Sequence, residues 1–419
     1  MTRATSAVLI VVPLCVFLLS WSLLHHGWLS RGQITDTGVY QRYGDAVLHG
    51  GVPYRDFQVE YPPAALPAFV LPSLGHEGDR LAYDRWFDRE MLLCGSLALL
   101  GTGLCLVALR AGPVRTAAAL GVFALSPVLL GSVVLTRFDL WPAALAVLAL
   151  ATLLWRRYVA AAVLLGLAIG AKLWPVVLLP LAIVWLVRTR GPRAASYWSG
   201  GVISVLALVF VPFAVLSPGG IAHSFDVQFA RPLQLESLGG SILIAAHHLA
   251  GTTLGVATTY GSQNLLGPGT RAVALATSIA GPLALAAVWV AFARGPATSE
   301  RLVTHAAAAI AMLLAFGKVF SPQYLMWLVP FVLLVPGLRG VAAAALLVGA
   351  LALTQSWFPH HYWALANSLA SVQSAELLAR NLFVLALAAM LAWPRSEHEM
   401  LGEHRSRLEA LQRVRPQVQ

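Results

Sequence analysis

Apolar runs long enough to cross a bilayer recur along this chain, and the charges are confined to the connectors between them. About twelve such runs approach the ~20 residues that a spanning helix needs. They cover approximately 6–24, 90–109, 116–135, 140–155, 158–171, 173–188, 198–216, 272–293, 302–317, 323–337, 340–355 and 377–393. Only 11% of the residues are charged, too few to cover a soluble globule, where about 25% is usual. The expected fold is therefore an all-α polytopic membrane protein. No small-x-small cleavage site follows the first run, which ends at His25-His26-Gly27-Trp28, so an uncleaved first helix is expected.

Placing the N-terminus in the cytoplasm puts Arg110 and Arg115, Arg156 and Arg157, Arg188 to Arg193, Arg294 and Arg301, and Arg339 in inner loops, as the positive-inside rule requires. Of the 18 acids, only Glu300 then falls in an inner loop ahead of the C-terminal tail. Residues 1–394 read as one membrane domain in the plasma membrane, and 395–419 as a cytoplasmic tail with weak attraction to anionic lipid. Both termini are expected inside. Three outer segments exceed ordinary connectors, 25–89, 217–271 and 356–376. Apolar patches at Ala64–Leu74 and Ser241–Leu249 predict interfacial helices within the first two.

The net charge of +10 comes without a basic stripe interleaved with exposed aromatics, which argues against a nucleic-acid partner. Cys15, Cys94 and Cys105 lie inside apolar runs and lack metal-ligand spacing, and the His25-His26, His247-His248 and His360-His361 pairs lack an HExxH pattern. Neither a metal nor another cofactor is expected, and no phosphate-cradling glycine loop is present.

Chemistry is concentrated in the first outer segment. Asp36, Asp45, Asp56 and Glu60 stand among Tyr40, Tyr43, Tyr54, Phe57 and Tyr61, with Arg31, Arg42 and Arg55 nearby. Aromatic faces beside carboxylates suit a sugar, whose CH faces pack on rings while its hydroxyls need acceptors; a solvated, internally paired loop has the same composition. Asp36 stands a few residues beyond the first run, where partial desolvation suits a general base. Lys172 and Lys318 are the chain's two lysines and share a position at outer helix ends, as point charges for a lipid phosphate or as snorkelling groups. Arg137-Phe138-Asp139 occupies a short outer turn, and Gln228 to Ser237 gathers Arg231, amides and Glu236 in a span suited to a phosphate or polyol.

These phrases, taken in order, resemble glycosyltransferase family 87. The phrases are Asp36; Pro53-Tyr54-Arg55-Asp56-Phe57 leading into Glu60-Tyr61-Pro62-Pro63; Lys172-x-Trp174-Pro175; Arg231-Pro232-Leu233-Gln234-x-Glu236-Ser237; and Lys318 through Ser321-Pro322-Gln323-Tyr324. The resemblance implies a GT-C fold and an inverting, metal-independent transfer from a polyprenyl-phosphate sugar, such as mannose, to a lipid-linked or glycan acceptor on the extracytoplasmic face. It implies Asp36 as general base and Lys172, Lys318 and Arg231 as partners of the donor phosphate. Glu60, Tyr61, Arg55, Arg137, Gln323 and Tyr324 complete the expected substrate site. Some members carry a His-His pair where this chain has Gln323-Tyr324, whose side chains are expected to hydrogen-bond sugar hydroxyls. The competing reading is a secondary transporter or a lipid or glycolipid flippase, which would centre its ionisable groups at the bilayer midplane.

Overall fold

The computed structural model describes residues 3–393; the expected cytoplasmic tail lies outside them. In chain order the helices are α1 (Arg3–Leu23), α2 (Thr37–Leu48), α3 (Leu66–Val70), α4 (Arg80–Ala108), α5 (Pro113–Leu130), α6 (Val133–Thr136), α7 (Leu140–Leu154), α8 (Tyr158–Ala171) and α9 (Leu179–Arg190). There follow α10 (Pro192–Leu216), α11 (Pro218–Ala230) and α12 (Leu238–Ala250), then a hairpin of β1 (Gly255–Thr259) and β2 (Ser262–Leu266). The chain continues through α13 (Thr270–Arg294), α14 (Ser299–Ala315), α15 (Leu325–Val332), α16 (Gly337–Trp357), α17 (Tyr362–Ser368) and α18 (Ser371–Ala392).

Every expected run carries helix, but among the described residues only six helices, α4, α5, α10, α13, α16 and α18, are long and apolar enough to cross a membrane. Proline accounts for part of the shortfall from twelve. Pro175 and Pro180 confine the run after Lys172 to a 3-10 turn and the 12-residue α9, and Pro322 and Pro330 do the same around the eight-residue α15. A ring at those positions removes a backbone donor and crowds the preceding turn. The helices start where the sequence supplies caps: Asp79 accepts from Ala82 N, Ser237 from Gly240 N and Thr298 from Arg301 N. Small residues set the close helix contacts. A Cβ at Gly166 would stand 2.8 Å from Val205, so α8 and α10 approach to a distance only glycine allows there.

The expectation of an all-α fold is corrected by the hairpin. Its two-residue turn, Tyr260-Gly261, has φ of 52° and 64°, the left-handed pair that suits the twist of two antiparallel strands. β2 is fixed to the preceding loop by Leu235 N to Gln263 O and Leu265 N to Leu233 O, both 3.0 Å.

The two ends of the bundle differ chemically. At one end, arginines satisfy helix-terminal and connector carbonyls: Arg115 Nη2 to Leu334 O at 2.6 Å, Arg188 Nη1 to Ala293 O at 3.0 Å and Arg301 Nη2 to Ala291 O at 2.8 Å. The opposite end holds the long segments. There the first segment builds an aromatic core with Phe138 of a later turn: Tyr40 stacks on Phe69 at 4.6 Å, and Tyr61 and Phe69 meet Phe138 edge-on at 4.8 and 5.1 Å.

Candidate active site

The long segments and the connectors at residues 137, 172 and 321 enclose a cavity of about 400 Å³. Its wall carries three acids, Asp36, Glu60 and Glu236, and three bases, Arg137, Lys172 and Arg231. Each is placed by a helix end or a short turn, so the charges gather at one end of the bundle.

Asp36 is the residue before α2, and its Oδ1 lies 3.2 Å from Arg137 Nη1. The carboxylate is partly open, while the Arg137 side chain is buried. Lys172 ends α8 and places Nζ 2.6 Å from Asp139 Oδ1. That same oxygen accepts Trp327 Nε1 at 2.7 Å, so the buried carboxylate is shared between an ammonium and an indole. Four rings surround the ammonium, those of Phe138, Tyr324, Trp327 and Tyr61, with centroids 4.8 to 5.9 Å away. Arg231 Nη2 is 3.6 Å from Glu60 Oε2. Burial raises the Glu60 carboxyl above its usual range, and Arg231 opposes the shift.

Glu236 is nearly inaccessible at 3% exposure. Burial pushes its carboxyl up to about 7 against the pull of the Arg380 guanidinium. Arg380 Nη2 and Asn381 Nδ2, both on α18, donate to the Glu236 carbonyl at 2.9 and 3.2 Å. Gln234 ties the same turn to the segment before α15, accepting from Phe320 N at 2.8 Å and donating to Ser321 Oγ at 3.0 Å.

The apolar parts of the wall lie in two groups. Trp174, Tyr324 and Trp327 form a ladder, with Trp174 parallel to Trp327 at 5.1 Å and Tyr324 on Trp327 at 4.1 Å. Phe210, Ile221 and Phe225 form the other, from α10 and α11. The outer side of α10 is exposed along most of its length, including Leu208 at 76% and Val215 at 74%.

Of the expected site residues, Asp36, Glu60, Tyr61, Arg137, Lys172, Arg231, Gln323 and Tyr324 all line this cavity. Two do not. Lys318 donates to Phe229 O at 2.6 Å and lies outside the wall, because the turn before Ser321 directs its side chain onto the end of α11. Arg55 is exposed and paired with its neighbour Asp56 at 2.8 Å, and Asp56 in turn caps Val52 N, so both serve the loop's own turn. Asp45 also stands apart, accepting from Gly78 N. Tyr40 is core, at 1% exposure, while Tyr54 and Tyr61 reach the wall. The sequence reading overlooked the contributions of Tyr362, Trp363 and the hairpin residues Thr258, Ser262 and Gln263. It also passed over Arg380, although an arginine inside an apolar run signals a buried polar partner.

Among the described residues no group of three or more His, Cys, Asp or Glu is placed to hold a metal ion. The model of glycosyltransferase family 87 matches residues 59–322, more than half of the chain. The chain belongs to glycosyltransferase family 87. Its six long apolar helices, counted among the described residues, mark this family 87 chain as a membrane protein. Glu60, Tyr61, Arg137, Lys172, Arg231, Glu236 and Lys318 fall within the matched part of this family 87 protein; Asp36 and Arg55 precede it, and Gln323 and Tyr324 follow.

No curated protein sequence matches the chain. Among solved structures, this family 87 protein is similar to the archaeal oligosaccharyltransferase AglB from Archaeoglobus fulgidus in complex with an inhibitory peptide and a dolichol-phosphate, with a TM-score of 0.48 and 14% identity over 92% of this chain and 55% of that one. It is also similar to the Archaeoglobus fulgidus oligosaccharyltransferase in the apo form, with a TM-score of 0.47 and 14% identity over 94% and 57%. The chain thus spans little more than half the length of these solved proteins.

Proposed function

We propose that the protein transfers mannose from a polyprenyl-phosphate donor to a hydroxyl of a lipid-linked or glycan acceptor. The site faces the extracytoplasmic side of the plasma membrane, the arginine-rich end of the bundle lies in the cytoplasm, and the transfer inverts the anomeric centre. The observation that carries this reading is the cavity wall itself, where a partly open carboxylate, Asp36, shares one 400 Å³ space with Arg137, Lys172 and Arg231 and with the apolar flank of Phe210, Ile221 and Phe225. A lipid phosphate needs the cations, its prenyl chain needs the flank, and the acceptor hydroxyl needs the base.

In this mechanism the donor phosphate engages Arg137, drawing the guanidinium away from Asp36 and leaving the carboxylate to accept the acceptor's proton. The acceptor oxygen attacks the anomeric carbon as the bond to the phosphate oxygen breaks, from the face opposite the phosphate. A β-linked donor gives an α-glycoside. The phosphate departs on the lipid with an added negative charge, stabilised by Arg137, Lys172 and Arg231. No step uses a metal. The paired charges stand at helix ends and connectors, which favours this chemistry over a transporter or flippase organised around a midplane site.

The test is Asp36→Asn in purified protein in nanodiscs, with labelled donor and a hydroxyl acceptor. Transfer should fall at least a thousandfold while the unfolding temperature stays within a few degrees. Retained activity would remove Asp36 from the role.

A further inference from the structure

We propose that Glu236 reads one hydroxyl of the transferred sugar and so sets which sugar the protein accepts. The proposal rests on the transferase reading above and deepens it. Of the three acids on the cavity wall, Asp36 and Glu60 each face a guanidinium across an ion pair, at 3.2 and 3.6 Å. Glu236 is built differently. Arg380 Nη2 and Asn381 Nδ2 donate to its backbone carbonyl, and its carboxyl sits in the field of the Arg380 guanidinium beside Tyr362. Its Oε2 is buried with no hydrogen-bond partner among the described residues.

A buried oxygen without a donor is a standing cost, and a sugar hydroxyl that donates to it supplies the missing bond. Such an acceptor also discriminates strongly, because an analogue lacking the hydroxyl leaves it unpaired again. The carboxyl, held near neutrality by burial, is able to accept from one hydroxyl or donate to it. Its position favours the donor sugar. Arg137, one of the cations offered to the phosphate, lines the same cavity as Glu236. The sugar one bond from that phosphate comes within reach of the same carboxyl.

The experiment measures transfer from polyprenyl-phosphate mannose and from its 2-, 3-, 4- and 6-deoxy analogues by the whole protein in nanodiscs. Wild type, Glu236→Ala and the isosteric Glu236→Gln are compared, each checked for folding by thermal unfolding. Wild type should prefer mannose over one deoxy donor by about 100-fold or more. Glu236→Ala should reduce that one preference below tenfold and leave the other three unchanged, and Glu236→Gln should shift the same preference at least threefold. Parallel loss with every donor, an unchanged preference in either folded variant, or altered preference among acceptors alone overturns the proposal. No transfer from any of the five donors by wild type overturns the transferase reading along with it. Wild-type transfer with parallel loss in the variants overturns only the role of Glu236.

Discussion

Asp36 and Arg137 meet at 3.2 Å on the cavity wall, joining the turn before α2 to the turn before α7 across about a hundred residues of chain. The proposed mechanism requires this contact to break when the phosphate arrives. Arg137→Lys keeps the charge but loses the planar fork that reaches two oxygens at once. We expect kcat/KM for the lipid donor to drop about 10²–10³-fold, comparable to loss of one transition-state donor. Initial rates at varied donor density check it.

Lys172 and Asp139 are a different kind of pair, buried and only 2.6 Å apart. Asp139→Asn leaves an ammonium among aromatic rings without its counter-charge, an error that costs about 3–5 kcal/mol in buried pairs. The unfolding temperature in detergent should fall markedly. Adding Lys172→Met to Asp139→Asn should recover part of that loss, while transfer stays abolished.

Lys318 makes the opposite prediction. Its ammonium bonds a carbonyl at the end of α11 and does not reach the cavity wall. Lys318→Met should change kcat and KM for the lipid donor by less than about threefold, as substitutions remote from a site do. A hundredfold loss would return Lys318 to the phosphate site.

Glu236 links the site to pH. Burial raises its carboxyl from 4.5 to about 7, so the folded protein favours the protonated form more than the unfolded chain does. The contribution to stability is then fully present below about pH 4.5 and is lost as pH rises through about 7. Glu236→Gln cannot ionise. The unfolding temperature of the variant should therefore gain on wild type between about pH 5 and 7 and level off above, and a constant difference would contradict the shift.

Chelation gives the last check. In the proposed mechanism the cations that meet the phosphate are protein side chains, so EDTA in excess should leave the initial rate within about twofold of the untreated protein, and added magnesium or manganese should not raise it.

The parts legible in the sequence were those set by local chemistry. Apolar length located the helices, and eight of the ten proposed site residues reached one cavity because each stood at a helix end or a turn. What the sequence concealed depended on contacts distant along the chain. Nothing local distinguishes Lys172, paired with Asp139 among rings, from Lys318 on a backbone carbonyl; the two share a helix-end position and differ only in where their turns point. The aromatic side chains divide in the same way, since whether Tyr40 or Tyr61 reaches the cavity depends on how Phe69 and Phe138 pack against them. The hairpin escaped because its strand β1 is short and largely exposed, and only its Tyr260-Gly261 turn carries a local signal.

The flank of Phe210, Ile221 and Phe225 has a consequence for how such a catalyst meets its substrate. These side chains line the cavity on α10 and α11, and α10 is exposed along its outer side, so under the proposed function a prenyl tail can stay dissolved in the bilayer throughout the reaction. Encounter is then a search over an area. Turnover should follow the number of carrier lipids per unit of membrane, and diluting the vesicles in buffer should leave it unchanged.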